Sequence, residues 1–564
     1  MSFELQFRLP KADRTHQDHQ TLGNLIGHSD TLAIVQASQQ FQGLTVVVTP
    51  DTRTALRLEK SLPSFTKLPV QLFPDWETLP YDNFSPHQDI ISARLSALFQ
   101  LQQGQKQIFL LPINTLLQKV CPPSYLANNV LLIKKGDHFS IEKLRLQLEN
   151  AGYRAVEQVL EYGEYAVRGA LLDLYPMGAN SPYRLDFFDD EIDTIRTFDV
   201  DNQRTIEQID EINLLPAHEF PTDSNGIEYF RGKFREQFGE IRREPEHIYQ
   251  QVSKSILNAG IEYWQPLFFE QMASLFEYLP EQTLFITFAD IQQKAEQFQQ
   301  DTARRYESRR VDPMRPLLPP EQLWFNIDQI NQQLKGYPRL TLTNEKVRSS
   351  AAKQNANLEP LPDIAVQSNQ KEPFAAFLQF QQKFKGQILF SVETEGRRET
   401  LLELLAPLNI KPKQVKQLAE INSPISLLIS PLDQGFIIET SGQKLAIICE
   451  TDLLGEKVQQ SRRQEKSRKT VNPDTLIRNL AELKIGQAVV HLENGVGRYG
   501  GLTTLDAGGI KAEYLVLHYA NDAKLYVPVA SLHLISRYIG GTDENAPLHK
   551  LGSEAWAKTR QKAA

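Results

Sequence analysis

Apolar runs and helix-like repeats alternate over residues 31–130. The helix-like repeat is "DIISARLSALFQLQQG", in which apolar residues return every three to four positions. The apolar runs are "TLAIV", "LTVVVTPD", "PVQLFPD" and "QIFLLP". Such alternation is typical of an α/β layer with a parallel sheet, and we predict that fold for this part of the chain.

The pattern changes over residues 131–217, where the helical "SIEKLRLQLENAG" precedes a β-rich stretch that begins at "YAVRGALLDLYPMG". This predicts a small α+β insert. Within it, the alternating runs "RLDFF" and "IDTIRTF" flank Asp189, Asp190 and Glu191, so we interpret these acids as the polar tip of a hairpin. The alternative, a Walker B acidic pair, needs a buried apolar strand before it and a phosphate loop upstream.

Helical periodicity dominates residues 218–345, as in "YFRGKFREQFGEIRR" and "FADIQQKAEQFQQDTARRYES", and we interpret the basic runs on these helices as solvated faces. The polar, aperiodic "NEKVRSSAAKQNANLEPLPD" predicts a linker. A second, smaller α/β unit is predicted at residues 355–458. Its elements are "FAAFLQFQQKF", "QILFSVE", "GRRETLLELLAPL", "ISLLIS", "GFIIET" and "KLAIICE".

Residues 478–553 are rich in short strands, among them "AVVHL", "AEYLVLHYA" and "KLYVPV", which predicts a small SH3-like or Tudor-like β-barrel. Gly495, Gly497 and Gly500 in this region have the G-x-G-x-x-G spacing of dinucleotide-binding loops. That function requires a helix after the glycines. The following residues instead alternate with period two around an Ala507-Gly508-Gly509 turn, so we interpret the glycines as positions of positive φ in tight turns between strands.

Composition places the chain among globular proteins. It has 564 residues, of which 41% are hydrophobic and 23% charged, and no apolar run approaches the about 20 residues that cross a bilayer. The N-terminus lacks the pattern of a secretory signal, so we expect a cytoplasmic protein without a membrane partner. The two cysteines, Cys121 and Cys449, exclude a disulfide framework and a Cys-rich zinc site. We expect both to be buried, unreactive thiols, and we predict no metal site.

The net charge of -8 argues against a surface coated with basic residues for nucleic acid. One local basic cluster lies in residues 459–477, which we interpret as a solvated linker; an arm that contacts DNA phosphates is the alternative. The cluster contains Arg462, Arg463, Lys466, Arg468 and Lys469.

No G-x-x-x-x-G-K-[ST] phosphate loop is present in the sequence. The nearest approach is "GIEYFRGKF", where five residues separate Gly226 from Gly232 and Phe234 replaces the hydroxyl residue that would bind magnesium. We interpret this stretch as a helix. We therefore predict no catalytic residue, no bound cofactor and no ATP hydrolysis by this chain.

Several stretches together closely resemble the bacterial transcription-repair coupling factor (Mfd) family, and the resemblance extends over the whole chain. They are "DWETLPYDNFSPHQDIISARLSAL", "GEYAVRGALLDLYPMG", "YRLDFFDDEID", "KTVNPDTLIRNLAEL" and "IGQAVVHLENGVGRYGGL" with "YANDAKLYVPVASLHLISRYIGG". The resemblance implies a multidomain α/β and α+β chain. Its expected parts are a degenerate RecA-like (UvrB-like) layer in two segments (1–130 and 218–345), an inserted α+β domain (131–217), a small α/β domain (355–458), a basic linker (459–477), a CarD-like β-barrel (478–553) and the start of a helix (554–564).

The resemblance also implies partners and site residues. The insert would recruit UvrA of nucleotide-excision repair through Arg168, Arg184 and Phe188, and the barrel would bind the β subunit of RNA polymerase through Leu505. Arginines and aromatic residues are the types enriched at binding hot spots. From the residues alone, burial of Phe188 in the hairpin core and of Leu505 in the barrel are the alternatives.

The ATP-driven, magnesium-dependent motor that acts on double-stranded DNA in this family is expected to follow residue 564 and to be missing here. We expect a monomer. Two functions from other classes remain as alternatives: a stand-alone helicase-like protein and a damaged-DNA-binding protein.

Overall fold

The structure is a computed structural model, and it describes residues 4–11, 18–200, 202–239, 242–367, 372–440, 442–454, 485–491, 494–506, 511–528, 535–537 and 548–550. The chain forms two compact units, Met1–Val458 and Gln459–Ala564. The predicted basic linker and the final helix start therefore lie outside the described residues.

The first part of the chain supplies four strands of a parallel sheet. Its apolar run "TLAIV" is helical rather than extended, and we had grouped it with runs that form strands. The helix is buried on several sides, so it carries apolar residues around its circumference and lacks the polar stripe of a surface helix. The elements are β1 (His19–Gly23), α1 (Ser29–Gln40), β2 (Leu44–Thr49), α2 (Thr52–Ser61), β3 (Val70–Leu72), α3 (Gln88–Gln102), β4 (Ile108–Pro112), α4 (Ile113–Leu117) and α5 (Pro123–Asn129).

The insert is α+β, as predicted. Ser140 caps its helix by accepting a hydrogen bond from the amide of Lys143, a common start signal for a helix. Six of its strands form one sheet in the order β11-β10-β9-β8-β7-β6, and β5 pairs with β12 in a second, two-stranded sheet. The elements are β5 (Leu131–Lys134), α6 (Ile141–Asn150), β6 (Arg154–Ala155), β7 (Glu164–Arg168), β8 (Leu171–Leu174), β9 (Tyr183–Phe188), β10 (Glu191–Phe198), β11 (Thr205–Ile209) and β12 (Glu211–Leu214).

The chain then returns to the first sheet. The order β15-β1-β14-β13-β2-β4-β3 is parallel throughout, which confirms the predicted α/β layer. The stretch "GIEYFRGKF" lies in a helix, also as predicted. The elements are α7 (Ser224–Phe238), α8 (Ile248–Ser253), β13 (Thr283–Phe288), α9 (Ile291–Arg309), α10 (Pro320–Leu323), α11 (Ile327–Leu334), β14 (Arg339–Leu342) and β15 (Lys353–Asn355), with 3-10 turns at Ile261–Phe268 and Leu275–Tyr278.

A buried ion pair lies where the insert rejoins the layer. Arg94 of α3 donates through Nε to Glu219 at 2.9 Å, and their side chains are 1% and 3% exposed. Arg94 also donates to the carbonyl of Pro74 at 2.7 Å, and the indole of Trp76 donates to Glu219 at 3.1 Å. The guanidinium lies 4.4 Å from the ring centroid of Phe73. These contacts tie the end of the insert to the loop that follows β3.

The second α/β unit contains the four predicted strands and two further ones, β16 and β18, in the order β16-β20-β21-β17-β19-β18. Our linker prediction for residues 344–363 was wrong in part, because β15 pairs with β1 and β16 pairs with β20. The elements are β16 (Leu358–Glu359), α12 (Ala375–Lys383), β17 (Gln387–Val392), α13 (Glu395–Leu405), β18 (Lys413–Val415), β19 (Ile425–Ile429), β20 (Phe436–Thr440), β21 (Gln443–Cys449) and α14 (Glu450–Leu454). One apolar core contains residues of α1, of the parallel sheet and of this unit.

The unit Gln459–Ala564 contains a five-stranded antiparallel sheet in the order β25-β24-β23-β22-β26. The strands that we predicted from "AVVHL", "AEYLVLHYA" and "KLYVPV" are confirmed. Closure of this sheet into a barrel stays a prediction. The elements are β22 (Ala488–His491), β23 (Gly495–Asp506), β24 (Lys511–His518), β25 (Lys524–Pro528) and β26 (Ile535–Arg537).

Candidate functional site

One face of the six-stranded sheet in the insert carries all three residues that we expected to bind UvrA. Residues paired across neighbouring strands point to the same side of a sheet, and residues two apart on one strand do so as well. The register pairs Arg168 with Leu171 and Leu171 with Asp186. Arg184 and Phe188 are two residues on either side of Asp186 on β9. We call this side the outer face; its members are Ala166, Arg168, Leu171, Asp173, Arg184, Asp186, Phe188 and Arg196.

The opposite side of the same sheet packs into the protein. Tyr165, Leu172, Leu185 and Ile195 belong to the core that continues into the parallel layer. The strands therefore alternate between a buried apolar side and a more polar outer face. Part of the outer face is covered as well, because Ala166 packs with Val159 and Phe198 in a small buried cluster.

Phe188 is exposed at the end of the outer face. Its relative exposure is 74%, so the alternative that it fills the hairpin core is wrong. The turn that follows contains Asp189 at φ 54° and joins β9 to β10, which confirms that the three acids form a hairpin tip. An exposed aromatic side chain next to polar residues is the kind of feature that marks a protein-binding site.

Arg168 is exposed on β7. Its Nη2 donates to the main-chain oxygen of Glu157 at 2.6 Å, and within the described parts of the chain no carboxylate lies at ion-pair distance from it. This guanidinium therefore keeps donors and a net positive charge at the surface.

Arg184 differs from Arg168, because it is paired within the protein. Its Nε and Nη2 donate to the two carboxylate oxygens of Asp173 at 2.7 and 2.8 Å, and its guanidinium lies 4.9 Å from the ring centroid of Phe198. The side chains of Arg184 and Asp173 are 16% and 4% exposed. The hydrogen bonds to Asp173 raise the pKa of Arg184. Arg184 therefore already makes a bidentate pair within the protein, and its predicted contact with UvrA stays a prediction.

Sequence reasoning missed Asp173. A signal was present, since an acid in the middle of the apolar strand "LLDL" must either face solvent or find a cation. The sequence does not tell which of these happens, because the cation comes from the neighbouring strand.

The loop between β1 and α1 lies where a phosphate loop lies in nucleotide-binding α/β layers, after the first parallel strand and before a helix. Its amide groups are used within the protein. Asn24 donates to the carbonyl of Glu345 at 2.9 Å, Leu25 to that of Thr343 at 3.2 Å, and His28 to that of Gln434 at 3.2 Å. The amide of Ile26 donates to the hydroxyl of Ser29 at 3.0 Å.

Residues of the second α/β unit fill the same loop. A Cβ on Gly27, which has φ +57°, would lie 2.6 Å from the carbonyl oxygen of Gln434. The amide of Asp433 donates to Nδ1 of His28 at 2.9 Å. The first turn of α1 carries the buried carboxylate of Asp30, which is paired with Arg57 of α2. The carboxylate of Asp30 therefore supplies the negative charge at the N-terminus of α1, where a phosphate would bind in a nucleotide site.

The glycines of the G-x-G-x-x-G stretch lie in the β22–β23 hairpin, and β23 rather than a helix follows them. This confirms our interpretation against a nucleotide site. Only Gly495 has a positive φ, at 78°, so the conformational reason that we gave for Gly497 and Gly500 is wrong. A Cβ on Gly497 would lie 3.0 Å from the Tyr519 ring, and one on Gly500 would lie 2.4 Å from the His518 ring. These two glycines allow close packing.

Leu505 lies on β23, where its Cα partner is Ala512 on β24. Its side chain, the Ala507-Gly508-Gly509 turn and the basic cluster Arg462, Arg463, Lys466, Arg468 and Lys469 lie outside the described residues. Their predicted roles stay predictions.

The structure also bears on three other sequence predictions, which concern metal ions, the two cysteines and membrane-spanning helices. Within the described ranges, no three His, Cys, Asp or Glu side chains are grouped so that they could hold a metal ion. Cys121 and Cys449 are buried free thiols, as predicted, and burial raises the pKa of Cys121 to about 12, which keeps that thiol protonated and unreactive. Among the helices that the structure describes, none combines the length and apolar composition that crossing a bilayer requires.

The basic runs on α7 and α9 are solvated faces only in part. Lys233 pairs with Glu236 and Arg304 with Asp301, each three residues away on the same helix. The prediction is wrong for four arginines that contact other parts of the protein: Arg231 and Arg235 donate to the hydroxyl of Tyr249, and Arg305 and Arg309 donate to the carbonyls of Pro80 and Tyr81.

Three family models match the chain. The model of the UvrB interaction domain matches residues 131–220, that of the MFD D3 domain matches 380–453, and that of the CarD-like/TRCF RID domain matches 483–539. The first contains the outer face, and the third contains all five strands of the antiparallel sheet.

Curated relatives are similar over nearly the whole chain. The transcription-repair-coupling factor of Haemophilus influenzae is 66% identical over 559 residues, which is 99% of this chain and 48% of the relative. The Escherichia coli factor is 56% identical over 549 residues, which is 97% of this chain and 47% of the relative. The Bacillus subtilis factor is 26% identical over 512 residues. The chain spans about half the length of these relatives.

Proposed function

Since the chain belongs to the transcription-repair-coupling factor family and corresponds to its amino-terminal part, we propose that it joins RNA polymerase to nucleotide-excision repair through two separate binding surfaces. One surface is the outer face of the insert, and the other is on the five-stranded sheet.

The outer face is proposed to recruit UvrA. The observation that carries this proposal is the exposed Phe188 on the same face as the unpaired Arg168, in the domain that matches the UvrB interaction model. Aromatic side chains and arginines are among the residue types that contribute most energy at protein interfaces.

The five-stranded sheet is proposed to bind the β subunit of RNA polymerase, with Leu505 as an apolar anchor. Its support is the match to the CarD-like/TRCF RID model and the position of Leu505 near the end of a strand. A strand end can offer both backbone hydrogen bonds and an apolar side chain to a partner.

The motor that uses ATP and magnesium to move on double-stranded DNA is proposed to belong to the part of the relatives that this chain does not span. The chain itself is proposed to bind no nucleotide and to act as a monomer in the cytoplasm. The internally bonded loop between β1 and α1 supports the first of these statements. The basic cluster is proposed to be a linker.

The test uses purified UvrA and RNA polymerase as separate baits for the 564-residue chain. We expect each bait to retain the chain, and we expect Phe188→Ala to lose UvrA while keeping polymerase. Failure of UvrA to retain the unaltered chain would contradict the recruiting role.

Leu505→Arg should give the opposite result, because an unpaired charge in a desolvated contact removes most of the affinity. We expect it to lose polymerase and to keep UvrA, since the two binding surfaces belong to separate units of the chain. Unchanged polymerase affinity would refute the contact. Lost affinity together with an unfolded sheet would show that Leu505 is a core residue.

A further inference from the structure

We propose that the outer face binds UvrA through a single uncompensated cation, Arg168, together with Phe188, and that Arg184 is a positioning residue held in place by Asp173. The inference rests on the proposed recruiting function and specifies its chemistry. It assigns a role to Asp173 and limits the charge that the partner must supply.

The first step is the charge of the outer face. Its three arginines do not have equal surroundings. Arg184 is paired with Asp173, and Arg196 is paired with Asp186 at 3.0 Å. Only Arg168, among these three, has no carboxylate at ion-pair distance in the described chain. The face therefore presents one cation whose charge is not already compensated.

The second step is the cost of using Arg184 as a contact. Asp173 accepts from Nε and Nη2 of Arg184 and the carbonyl of Gln203 accepts from Nη1 at 3.4 Å, so Arg184 would have to leave Asp173, whose side chain is only 4% exposed, to offer a partner an uncompensated charge. A buried carboxylate without its cation is strongly unfavourable. Arg184 would also lose its position over the Phe198 ring. The structure therefore favours a fixed Arg184 that keeps β8 and β9 in register beneath the partner.

The third step is the distance between the two contact residues. Arg168 pairs with Leu171 and Leu171 with Asp186, so Arg168 lies two strands from Asp186, and Phe188 is two residues further along β9. With about 4.8 Å between strands and about 3.4 Å per residue, the two Cα atoms are roughly 12 Å apart. One compact surface of a partner can contact both.

The partner's chemistry follows from these steps. The complementary surface carries one carboxylate for Arg168, at that spacing from an apolar area that covers Phe188. A second carboxylate directed at Arg184 would meet Asp173, and like charges at close range repel each other.

The test replaces the internal pair as a unit. Arg184→Met combined with Asp173→Leu removes both charges, and apolar substitution of a buried ion pair is often tolerated. We expect this double variant to bind purified UvrA within about threefold of the unaltered chain, whereas Arg168→Ala should weaken binding about 10- to 100-fold. Arg184→Lys, which keeps a cation beside Asp173, serves as the conservative variant and should also bind within about threefold.

The salt dependence of the affinity for UvrA distinguishes a residue that contacts UvrA from a residue that only positions the contact surface. Affinity is measured at several salt concentrations for each variant. The double variant should keep the salt dependence of the unaltered chain, because the charge pair with the partner is still present, and Arg168→Ala should flatten it, because screening acts on that pair.

Three outcomes decide the matter. A folded double variant that loses as much affinity as Arg168→Ala would show that Arg184 contacts UvrA and would overturn the inference. If the double variant does not fold, an Arg184→Lys variant that folds but binds at least tenfold more weakly overturns it equally. If the unaltered chain does not bind UvrA, the proposed function itself fails, which is a different result.

Discussion

Arg94→Ala should strongly destabilise the unit Met1–Val458. The substitution removes the hydrogen bonds from Arg94 to Glu219 and to the carbonyl of Pro74, and the contact with the Phe73 ring. It leaves Glu219, 3% exposed, as a buried carboxylate with the indole of Trp76 as a remaining donor.

The magnitude follows from the burial. Breaking a buried ion pair by removing one partner costs about 3–5 kcal/mol, because the remaining charge stays desolvated. The same loss at an exposed pair is much smaller. Arg304→Ala is the matched control, since Arg304 pairs with Asp301 at 2.6 Å but the two side chains are 75% and 49% exposed.

The assay is urea unfolding followed by tryptophan fluorescence. Trp76 and Trp324 both pack close to Tyr263, so their emission reports on the core that Arg94 helps to join. We expect a clearly lower midpoint for Arg94→Ala and an unchanged one for Arg304→Ala. A loss of less than about 1 kcal/mol for Arg94→Ala would refute the reasoning, because it would mean that Glu219 regains water or another cation at little cost.

The remaining predictions concern the loop before α1 and one buried acid. Gly27→Ala should destabilise the chain more than Gly104→Ala, because both glycines have positive φ but only a Cβ at residue 27 meets a carbonyl, that of Gln434, at 2.6 Å; equal thermal shifts would show that Gln434 moves aside freely. Calorimetric titration with ATP and magnesium should give no binding heat, and saturable binding would contradict the account of this loop. Burial raises the pKa of Glu262 to about 7, so its protonated form stabilises the fold at low pH, and this contribution is lost as the pH rises through 7. Glu262→Gln should therefore raise stability at pH 8 by about 1–3 kcal/mol and have little effect near pH 5, as measured by urea unfolding at both values; a constant difference would show that Glu262 does not titrate in this range.

Elements with a strong hydrophobic period were predictable from the sequence. Helices α6, α7 and α9 and the strands β2, β3, β4, β17, β19, β20 and β21 follow from apolar spacing, because burial of one face or of a whole strand selects those spacings. Strands β13 and β14 were not predicted, since residues 218–345 were interpreted as helical. A further exception is "TLAIV", which is too short and too uniformly apolar to distinguish a buried strand from a buried helix segment. The structure resolves that ambiguity, because the run continues into a helix of 12 residues.

Polar strands were not predictable. β15 has the sequence Lys353-Gln354-Asn355 and is held by main-chain pairing with β1. Backbone hydrogen bonds do not depend on side-chain identity, so such a strand leaves little trace in the pattern of apolar residues. The same reasoning explains why the stretch before the second α/β unit was predicted to be a linker.

The residues of the candidate site came from the family resemblance, and their binding roles stay predictions; what the sequence pattern did not predict is how their side chains are paired. Phe188 and Arg168 lie exposed on one face, as a binding surface requires. Arg184 looked equivalent to Arg168 in the sequence, yet its partner Asp173 lies on the adjacent strand, and cross-strand register decides the pairing. An alternating pattern shows which side of a strand a residue faces, but it does not show which charge lies opposite.

Two sets of contacts fix the outer face within its own unit. The Arg94–Glu219 pair anchors the end of the insert to the parallel layer, and the pair Arg184–Asp173 fixes β8 against β9. A surface that is already ordered loses little conformational entropy when it binds, so more of its contact energy appears as affinity. Buried pairs of this kind add little stability compared with apolar residues of the same volume. If the proposed function holds, their value is positional, because the Arg184–Asp173 pair holds the strand that carries Phe188 in one arrangement before a partner binds.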